Sequence, residues 1–467
     1  MPILDDPPDA GVQPGCFRNG RADVLALFLR LLPAAFLDRI QRREHARRHN
    51  RVYTTGVVMW LMICQRLQEI GTLENAVLEL VRGLPANFWP KPCKRLLPSN
   101  STPGANLSSH TGAYNKARQQ LPVSIVEQCF DHVFQQLTEQ ATGVLPAVGR
   151  RAFFIDGTSV RLPYTEALAK LYPPGSNQHG ASHWPLIRML VAHDLDTGMA
   201  MRPQWGPLNG PRAVSEQGLL EQALERLPSE SLLAGDANFG VFSVAYAATQ
   251  RAHRVLLRLT AVRAQRLAGE PLRDGVDRHI AWKPSRDDRR NHPGLPADAC
   301  VAGRLIVSRV QPSNGAEPFL LALFTTLDVP AGHAVNLYGD RWNIETDLRS
   351  LKDTLRLEQL TCSTAEMVAK EIDMAMMAYN LVRAVSWLAA QRAGLSPRAF
   401  SFTRVRNVLH AFAPLISAAT DQQQARKLWD DMMYYVGQAK LPKRNRKRPS
   451  YSRAVWGKPQ AYPKRKA

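Results

Sequence analysis

Tyr338, Arg341, Glu345 and Lys352 fall at i, i+3, i+7 and i+14 within Tyr338-Gly-Asp-Arg-Trp-Asn-Ile-Glu-Thr-Asp-Leu-Arg-Ser-Leu-Lys352. At about 100° per residue, a single helix would gather these four side chains on an arc of about 60°. A phenol, two cations and a carboxylate would then project together. A carboxylate bracketed by Arg and Lys suits a site that handles a divalent ion and a phosphate at once. Ile344, Leu348, Leu351 and Leu355 occupy the neighbouring arc, so one face can enter a core while the next presents the polar set. Asp347 lies opposite the polar arc and is disfavoured as a ligand. The plainer alternative is a solvated amphipathic helix with incidental i, i+4 pairs.

Two further acids sit where such a site would need them. Arg151-Ala-Phe-Phe-Ile-Asp-Gly-Thr-Ser-Val160 and Ser231-Leu-Leu-Ala-Gly-Asp-Ala-Asn-Phe-Gly240 each read as a short apolar strand with an Asp placed as the apolar run ends. Asp156 and Asp236 are 80 residues apart, and Glu345 lies 109 residues further along. Strand ends form the rim at which a sheet exposes reactive groups. Three carboxylates meeting there could hold two Mg²⁺ ions, with Mn²⁺ able to substitute, because such cations take oxygen ligands. One ion would generate a hydroxide or 3′-oxygen nucleophile, and the other would stabilise the leaving oxygen. A lone Asp at a strand end is more commonly a turn residue or a helix cap. The set of three therefore says more than either Asp alone.

The elements that must position these residues are legible in outline. From Ala22 to Gly83 apolar residues recur at helical spacing, interrupted by Pro33 and by the basic cluster Arg39 to Arg51. Leu84 to Gly104 reads as a loop, and Ser108 to Thr142 as further helix, where Lys116 and Arg118 could face phosphates. Strands are expected at His183 to Asp194 and Gly198 to Trp205, separated by the turn Asp194-Leu-Asp-Thr-Gly198. A helix at Gln217 to Leu227 precedes the second acidic strand, and a helix at Ser243 to Ala252 leads to a strand at Arg254 to Thr260. Residues 263 to 330 hold strand runs at His279 to Lys283, Arg304 to Val310 and Phe319 to Leu327 between Pro- and Arg-rich loops. Helices resume at His333 and continue through Ile372 to Arg392.

The totals name a partner class. The chain has 467 residues, 45% of them apolar, and a formal charge of +20, which implies several domains and makes nucleic acid the leading partner. From Lys440 to the end there are eleven Lys or Arg and no acid. Lys443 to Arg448 and Lys464 to Lys466 read as a basic arm able to bind phosphates by counterion release. Six cysteines without a C-x-x-C pair argue against zinc and against a disulfide framework. The N-terminus lacks the order of a signal peptide, and the longest apolar run, Val57 to Cys64, is far short of a membrane span. A cytoplasmic protein with no membrane partner is expected.

Taken together, four segments resemble the DDE transposases of the insertion-sequence type-four family: Ile155-Asp-Gly-Thr158, Gly235-Asp-Ala-Asn-Phe239, the Tyr-x2-Arg-x3-Glu-x6-Lys signature at 338 to 352, and Ala378-Tyr-Asn-Leu-Val-Arg383. Asp194-x2-Thr-Gly198 and Glu216 also look familiar from these enzymes. The resemblance implies an α/β fold with a ribonuclease-H-like catalytic core over 148–262 and 331–440. It further implies a β-rich insertion at 263–330, a helical DNA-binding region at 1–147 and a basic tail at 441–467. It implies that Asp156, Asp236 and Glu345 are the catalytic metal ligands, and that Tyr338, Arg341 and Lys352 hold phosphates. The activity implied is cut-and-paste transposition, an endonuclease step and strand transfer, by a homodimer on transposon-end and target DNA, associated with the nucleoid. The alternatives are a ribonuclease-H-like nuclease without strand transfer and a catalytically inactive DNA-binding relative. Ala237 departs from the Arg or Asn frequent after the second Asp, which puts an auxiliary phosphate contact there in doubt. Trp282 is a candidate for stacking on a flipped base, although packing is its more ordinary use. His179 and His183 read as loop residues near DNA, and Glu216 as a helix-start acid with a secondary chance of supporting the metal site.

Overall fold

In the computed structural model the described residues are 24–44, 52–81, 108–141, 149–177, 180–311, 317–417 and 422–441. The apolar run before Asp156 is buried from Ala152 through Ile155 on both faces, as a strand in the middle of a covered sheet must be. This is β1 (Ala152–Arg161). It is followed by β2 (Pro174–Asn177), β3 (Gly180–Asp194), β4 (Gln204–Pro207), β5 (Leu232–Gly235), β6 (Arg254–Arg258), β7 (Val276–Trp282), β8 (Val301–Val310) and β9 (Phe319–Thr325). The strands form one nine-stranded sheet in the order β2-β3-β1-β5-β6-β9-β8-β7, with β4 also paired to β3. β3 and β4 run antiparallel to their neighbours, whereas β1, β5 and β6 are mutually parallel. β9, β8 and β7 then extend the same sheet by antiparallel pairing on β6.

Helices cover this sheet and continue beyond it. The N-terminal ones are α1 (Val24–Leu31), α2 (Ala34–Arg43), α3 (Thr55–Leu67), α4 (Leu73–Val81), α5 (Gly112–Gln120) and α6 (Val123–Gln140). Within the sheet region come α7 (Glu166–Leu171), α8 (Glu216–Leu224), α9 (Phe242–Gln250), α10 (Ala261–Ala268) and α11 (Arg286–Asn291). α9 is the crossover that parallel β5 and β6 require. The last group is α12 (Ala331–Gly339), α13 (Trp342–Arg349), α14 (Ala365–Ala393), α15 (Phe402–Ser417) and α16 (Gln422–Gln438).

The centre of the helical layer is α14, 29 residues long and buried on nearly every side between Met367 and Ala390. Such a helix is stable only inside a core. The Thr364 side chain caps its start by accepting from the Met367 N–H, and Gly394, at φ +61°, ends it in a left-handed turn. α3, α6, α15 and α16 all lie against it. Two of its buried charges are answered from the N-terminal helices. Glu371 is bonded by Arg66 and Arg118, and Lys370 Nζ donates to the carbonyls of Arg118 and Gln119, each at 3.0 Å. Arg118, expected to face phosphates, is therefore a buried structural cation, while Lys116 is exposed.

Several expectations shift. The strand expected at Gly198 to Trp205 reduces to one bridge at Ala200 and the short β4, and between them Arg202 bonds Asp131 and Glu127 on α6. Within the segment from Pro173 to His183, read as a loop, Pro174–Asn177 and the residues from Gly180 onward pair antiparallel as the β2–β3 hairpin. The loop at 84–104, the basic tail from 442 onward and His179 lie outside the described residues. No helix among the described residues is long and apolar enough to cross a membrane.

Candidate active site

Strand register decides what the sheet rim presents. Ile155 of β1 pairs with Gly235 of β5, and Gly235 with Leu257 of β6. Asp156 and Arg258 are the next residues on β1 and β6, and Asp236 follows the last residue of β5, so the three stand in a row at spacings of about 4.8 Å. Asp156 does not end its strand as expected, because β1 runs on to Arg161 against β3 after β5 has stopped. Asp156 Oδ1 accepts the Gly157 N–H at 2.8 Å, and Asp236 Oδ1 accepts the Asn238 N–H at 2.9 Å. Burial pushes the Asp156 carboxyl up to about 6. The Gly157 N–H and Arg341 oppose that rise, and the charges of Asp236 and Glu216 add to it.

Glu216 belongs to this group. It opens α8, behind the N-cap Ser215, and its side chain lies directly over Gly157. A Cβ at residue 157 would run into the Glu216 side chain, so a larger residue there would displace that carboxylate. Asn238 Nδ2 also donates to Glu216, closing a loop from the first acid to the second.

The signature stretch is not one helix, and its four residues do not share the expected arc. α12 stops at Gly339, and the next bonds run three residues back: Arg341 N–H to Tyr338 O at 3.0 Å, then Ile344 N–H to Arg341 O at 3.0 Å. After α13 the chain widens into a π-helical turn at Ser350–Thr354. A tightened turn and a widened one both break the 3.6-residue period on which the arc depended. Tyr338 points into the core, 5% exposed, with its ring edge-on to Phe154 at 6.3 Å. Burial drives its phenol up to about 12, with Arg341 and Arg258 opposing and Asp236 adding. Arg341 Nη2 meets Glu345 Oε1 at 3.1 Å, and Lys352 Nζ meets Glu358 Oε1 at 2.9 Å.

The rim thus gathers Asp156, Asp236, Glu216, Arg341, Tyr338 and Arg258. Glu345 is tied to it through Arg341, and Lys352 pairs with Glu358. Among the described residues, no three His, Cys, Asp or Glu side chains converge at metal-holding spacing. Sequence reasoning left out Arg258, whose only signal was a charge closing an apolar strand. It also set Asp347 aside as a bystander.

Asp347 is fully buried and fixes α13 in place. Arg383 bonds one of its oxygens, Arg398 Nη1 meets the other at 2.7 Å, and His193 Nδ1 lies at 3.6 Å. Burial opposes the Asp347 charge, but Arg398, Arg383 and His193 outweigh it and hold the carboxyl at about 2. Burial keeps His193 neutral, down at about 4. His193 sits opposite Phe154 on β3. The same cations continue into the turn after β3. Arg398 donates to the carbonyls of Leu195 and Asp194 at 2.6 and 2.8 Å. Arg383 Nε donates to the Tyr379 hydroxyl, and that hydroxyl to Gly198 O, both at 2.9 Å. Asn380 exchanges two 2.8 Å bonds with the Ala200 backbone. Gly198 itself holds φ +76°, where glycine is favoured. The motifs Asp194-x2-Thr-Gly198 and Ala378 to Arg383 are therefore two halves of one clamp, and the helix it grips carries Glu345.

Trp282 is 4% exposed and packs edge-on to Phe324 at 4.7 Å and Phe242 at 6.1 Å, so it is a core residue. Residues 148–381 match the family model of the transposase DDE domain. Transposase InsG for insertion sequence element IS4, from Escherichia coli (strain K12), is 26% identical over 370 residues, covering 74% of this chain and 77% of that protein. The matched span opens just before β1 and closes on α14. It takes in Asp156, Asp236, the signature turn and the buried Asp347, and by that match over half its length the chain belongs to the DDE transposase family.

Proposed function

We propose that this DNA transposase moves an insertion sequence by a cut-and-paste route, hydrolysing phosphodiester bonds at the element's ends and then joining its 3′ ends to target DNA. One observation carries the reading: Asp156, in the middle of β1 where its parallel pairing with β5 stops, and Asp236, the residue after β5, stand side by side within electrostatic reach of Arg341, and Arg341 in turn pairs with Glu345 on α13. The strand order β4-β3-β1-β5-β6, three antiparallel and then two parallel additions, supports a ribonuclease-H-like core over 148–262 and 331–440. On the same reading 263–330 is an insertion, and 1–147 and 441–467 are DNA-binding arms. A homodimer on DNA would bring two ends together.

We assign Asp156, Asp236 and Glu345 as ligands of divalent cations. The donor chemistry fits, since the buried Asp156 carboxylate beside Asp236 is an anion that a hard cation would relieve. Two such ions, Mg²⁺ or Mn²⁺, would supply an activated oxygen nucleophile and stabilise the leaving oxygen. Glu345 is paired with Arg341, and a phosphate taking that guanidinium would release the carboxylate toward the two Asp. Tyr338, Arg341 and Lys352 then orient the phosphate backbone at the element's end.

The test is an end-cleavage assay paired with strand transfer from precut ends. Asp156→Ala, Asp236→Ala and Glu345→Ala should each abolish cleavage while end binding survives. Cleavage at the wild-type rate in any of them sinks the ligand assignment. A wild-type protein that cuts but never joins precut ends is a nuclease without strand transfer, and one that binds DNA but neither cuts nor joins is an inactive relative.

A further inference from the structure

Beyond the far end of β1 the surface carries a second feature that the chemistry above does not use. Tyr164, His183 and Trp184 come together there from the loop after β1 and from the β2–β3 hairpin. Tyr164 and His183 stack with ring centroids 4.8 Å apart and planes 18° apart, and Trp184 meets His183 at 4.8 Å with planes at 82°. Tyr164 and Trp184 are 51% and 43% exposed. Large aromatic rings left in water at one spot mark a binding surface more often than a defect of packing. Two ring planes at a right angle make a corner against which a flat ligand can lie.

The surroundings specify an anionic one. Arg161, whose side chain is 58% exposed, lies 3.9 Å from Glu358, the same carboxylate that Lys352 holds. Two cations thus share one acid, and Arg161 is joined to the ring-bearing segment by its pairing with Leu186 of β3, two residues past Trp184, on a chain of net charge +20. The loop bearing Tyr164 is joined to the segment after Lys352, because Thr165 Oγ1 donates to Ser363 O at 3.3 Å. Arg161 stands five residues along β1 from Asp156, about 17 Å at the usual strand rise. A polyanion lying on the rim can therefore run on to the corner.

We infer that Tyr164, His183 and Trp184 form a stacking platform for an unpaired DNA base, with Arg161 and Lys352 taking the flanking phosphates in place of Glu358. Base stacking on aromatic rings is tolerant of sequence and is strengthened by adjacent cations. The inference rests on the reading of the chain as a DNA transposase and adds the position at which a frayed or overhanging end is held.

The test uses the full chain without divalent ions, a blunt 30-base-pair duplex, and the same duplex with a five-nucleotide single-stranded overhang containing 5-bromodeoxyuridine. The wild type should bind the overhanging duplex more tightly than the blunt one, and the photo-crosslink should map to Tyr164, His183 or Trp184. Trp184→Ala should lose about tenfold in affinity for the overhanging duplex with little change on the blunt one, and Trp184→Phe should recover most of it. Equal loss on both duplexes, no wild-type preference for the overhang, or a crosslink confined to other aromatic residues such as Trp342 overturns the platform and leaves the transposase reading standing. Failure to bind either duplex overturns both.

Discussion

Asp156 shows how a catalytic group can be costly to the fold that holds it. In the unfolded chain its carboxyl titrates at an ordinary value, while in the fold it is raised to about 6. The folded state therefore binds the proton more tightly, and stability falls as pH rises from about 4 through 6. At neutral pH the penalty is on the order of 2 kcal/mol after allowance for partial exposure. Asp156→Asn should accordingly raise the melting temperature of the metal-free protein at pH 7 while cleavage disappears. Mn²⁺ should raise the melting temperature of the wild type more than that of the variant. A variant that melts lower than wild type at pH 7 and also at pH 4 would show the carboxylate to be structural. Both Asp residues could be seen in the sequence because an acid closing an apolar run is a local pattern. Arg258 could not be placed so, since only the β5–β6 register brings it to the rim, while Glu216, named from the sequence as a helix-start acid with a secondary chance of supporting the metal site, takes its position only through its contact with Gly157.

At the scale of the element, α13 is anchored by its buried Ile344 and Leu348 and by a buried carboxylate two residues beyond Glu345. Replacing Asp347 with Asn leaves Arg383 and Arg398 buried without their shared anion, a change that costs about 3–5 kcal/mol when a buried pair is broken. The pH dependence has a definite sign. Asp347 is depressed to about 2, so its contribution is full above its ordinary value near 4 and is lost as pH falls from there toward 2. His193 is depressed to about 4 from 6.5 and must stay neutral, so its contribution is lost as pH falls through that window. Thermal melts of His193→Gln against wild type should show a shallower loss of stability between pH 6.5 and 4 in the variant. Parallel slopes would mean that the ring is protonated in the fold. The signature motif was legible as a set of residue types, but its geometry was not. The 100° rule assumes one winding, and here a three-residue turn and a π turn flank α13. The same local rule missed Asp347, because nothing in its own neighbourhood announces two arginines from residues 383 and 398.

Across the whole molecule the question is whether the N-terminal helices are a separate reader or part of the catalytic body. Sequence periodicity identified them as helical and the turn in character near residue 150, since both are local. It gave no sign that α3 and α6 would cover α14, because burial on all sides of a helix depends on partners hundreds of residues away. Arg66 and Arg118 neutralise Glu371 from the N-terminal side, and Lys370 ends on the α5 backbone. Removing residues 1–147 would leave Glu371 and Lys370 uncompensated and would expose the apolar flank of α14 that α3 and α6 now cover. The shortened chain should therefore fail to unfold as one sharp transition and should bind a hydrophobic dye, whereas the intact chain melts cooperatively. Glu371→Gln in the full chain tests the same coupling more gently. With its charge gone, Arg66 and Arg118 face each other without an anion, and the melting temperature should drop by several degrees, as loss of a buried charge partner does. If the shortened protein instead melts as sharply as the whole, the N-terminal helices are an independent module resting on α14, and DNA binding by 1–147 can be measured in isolation.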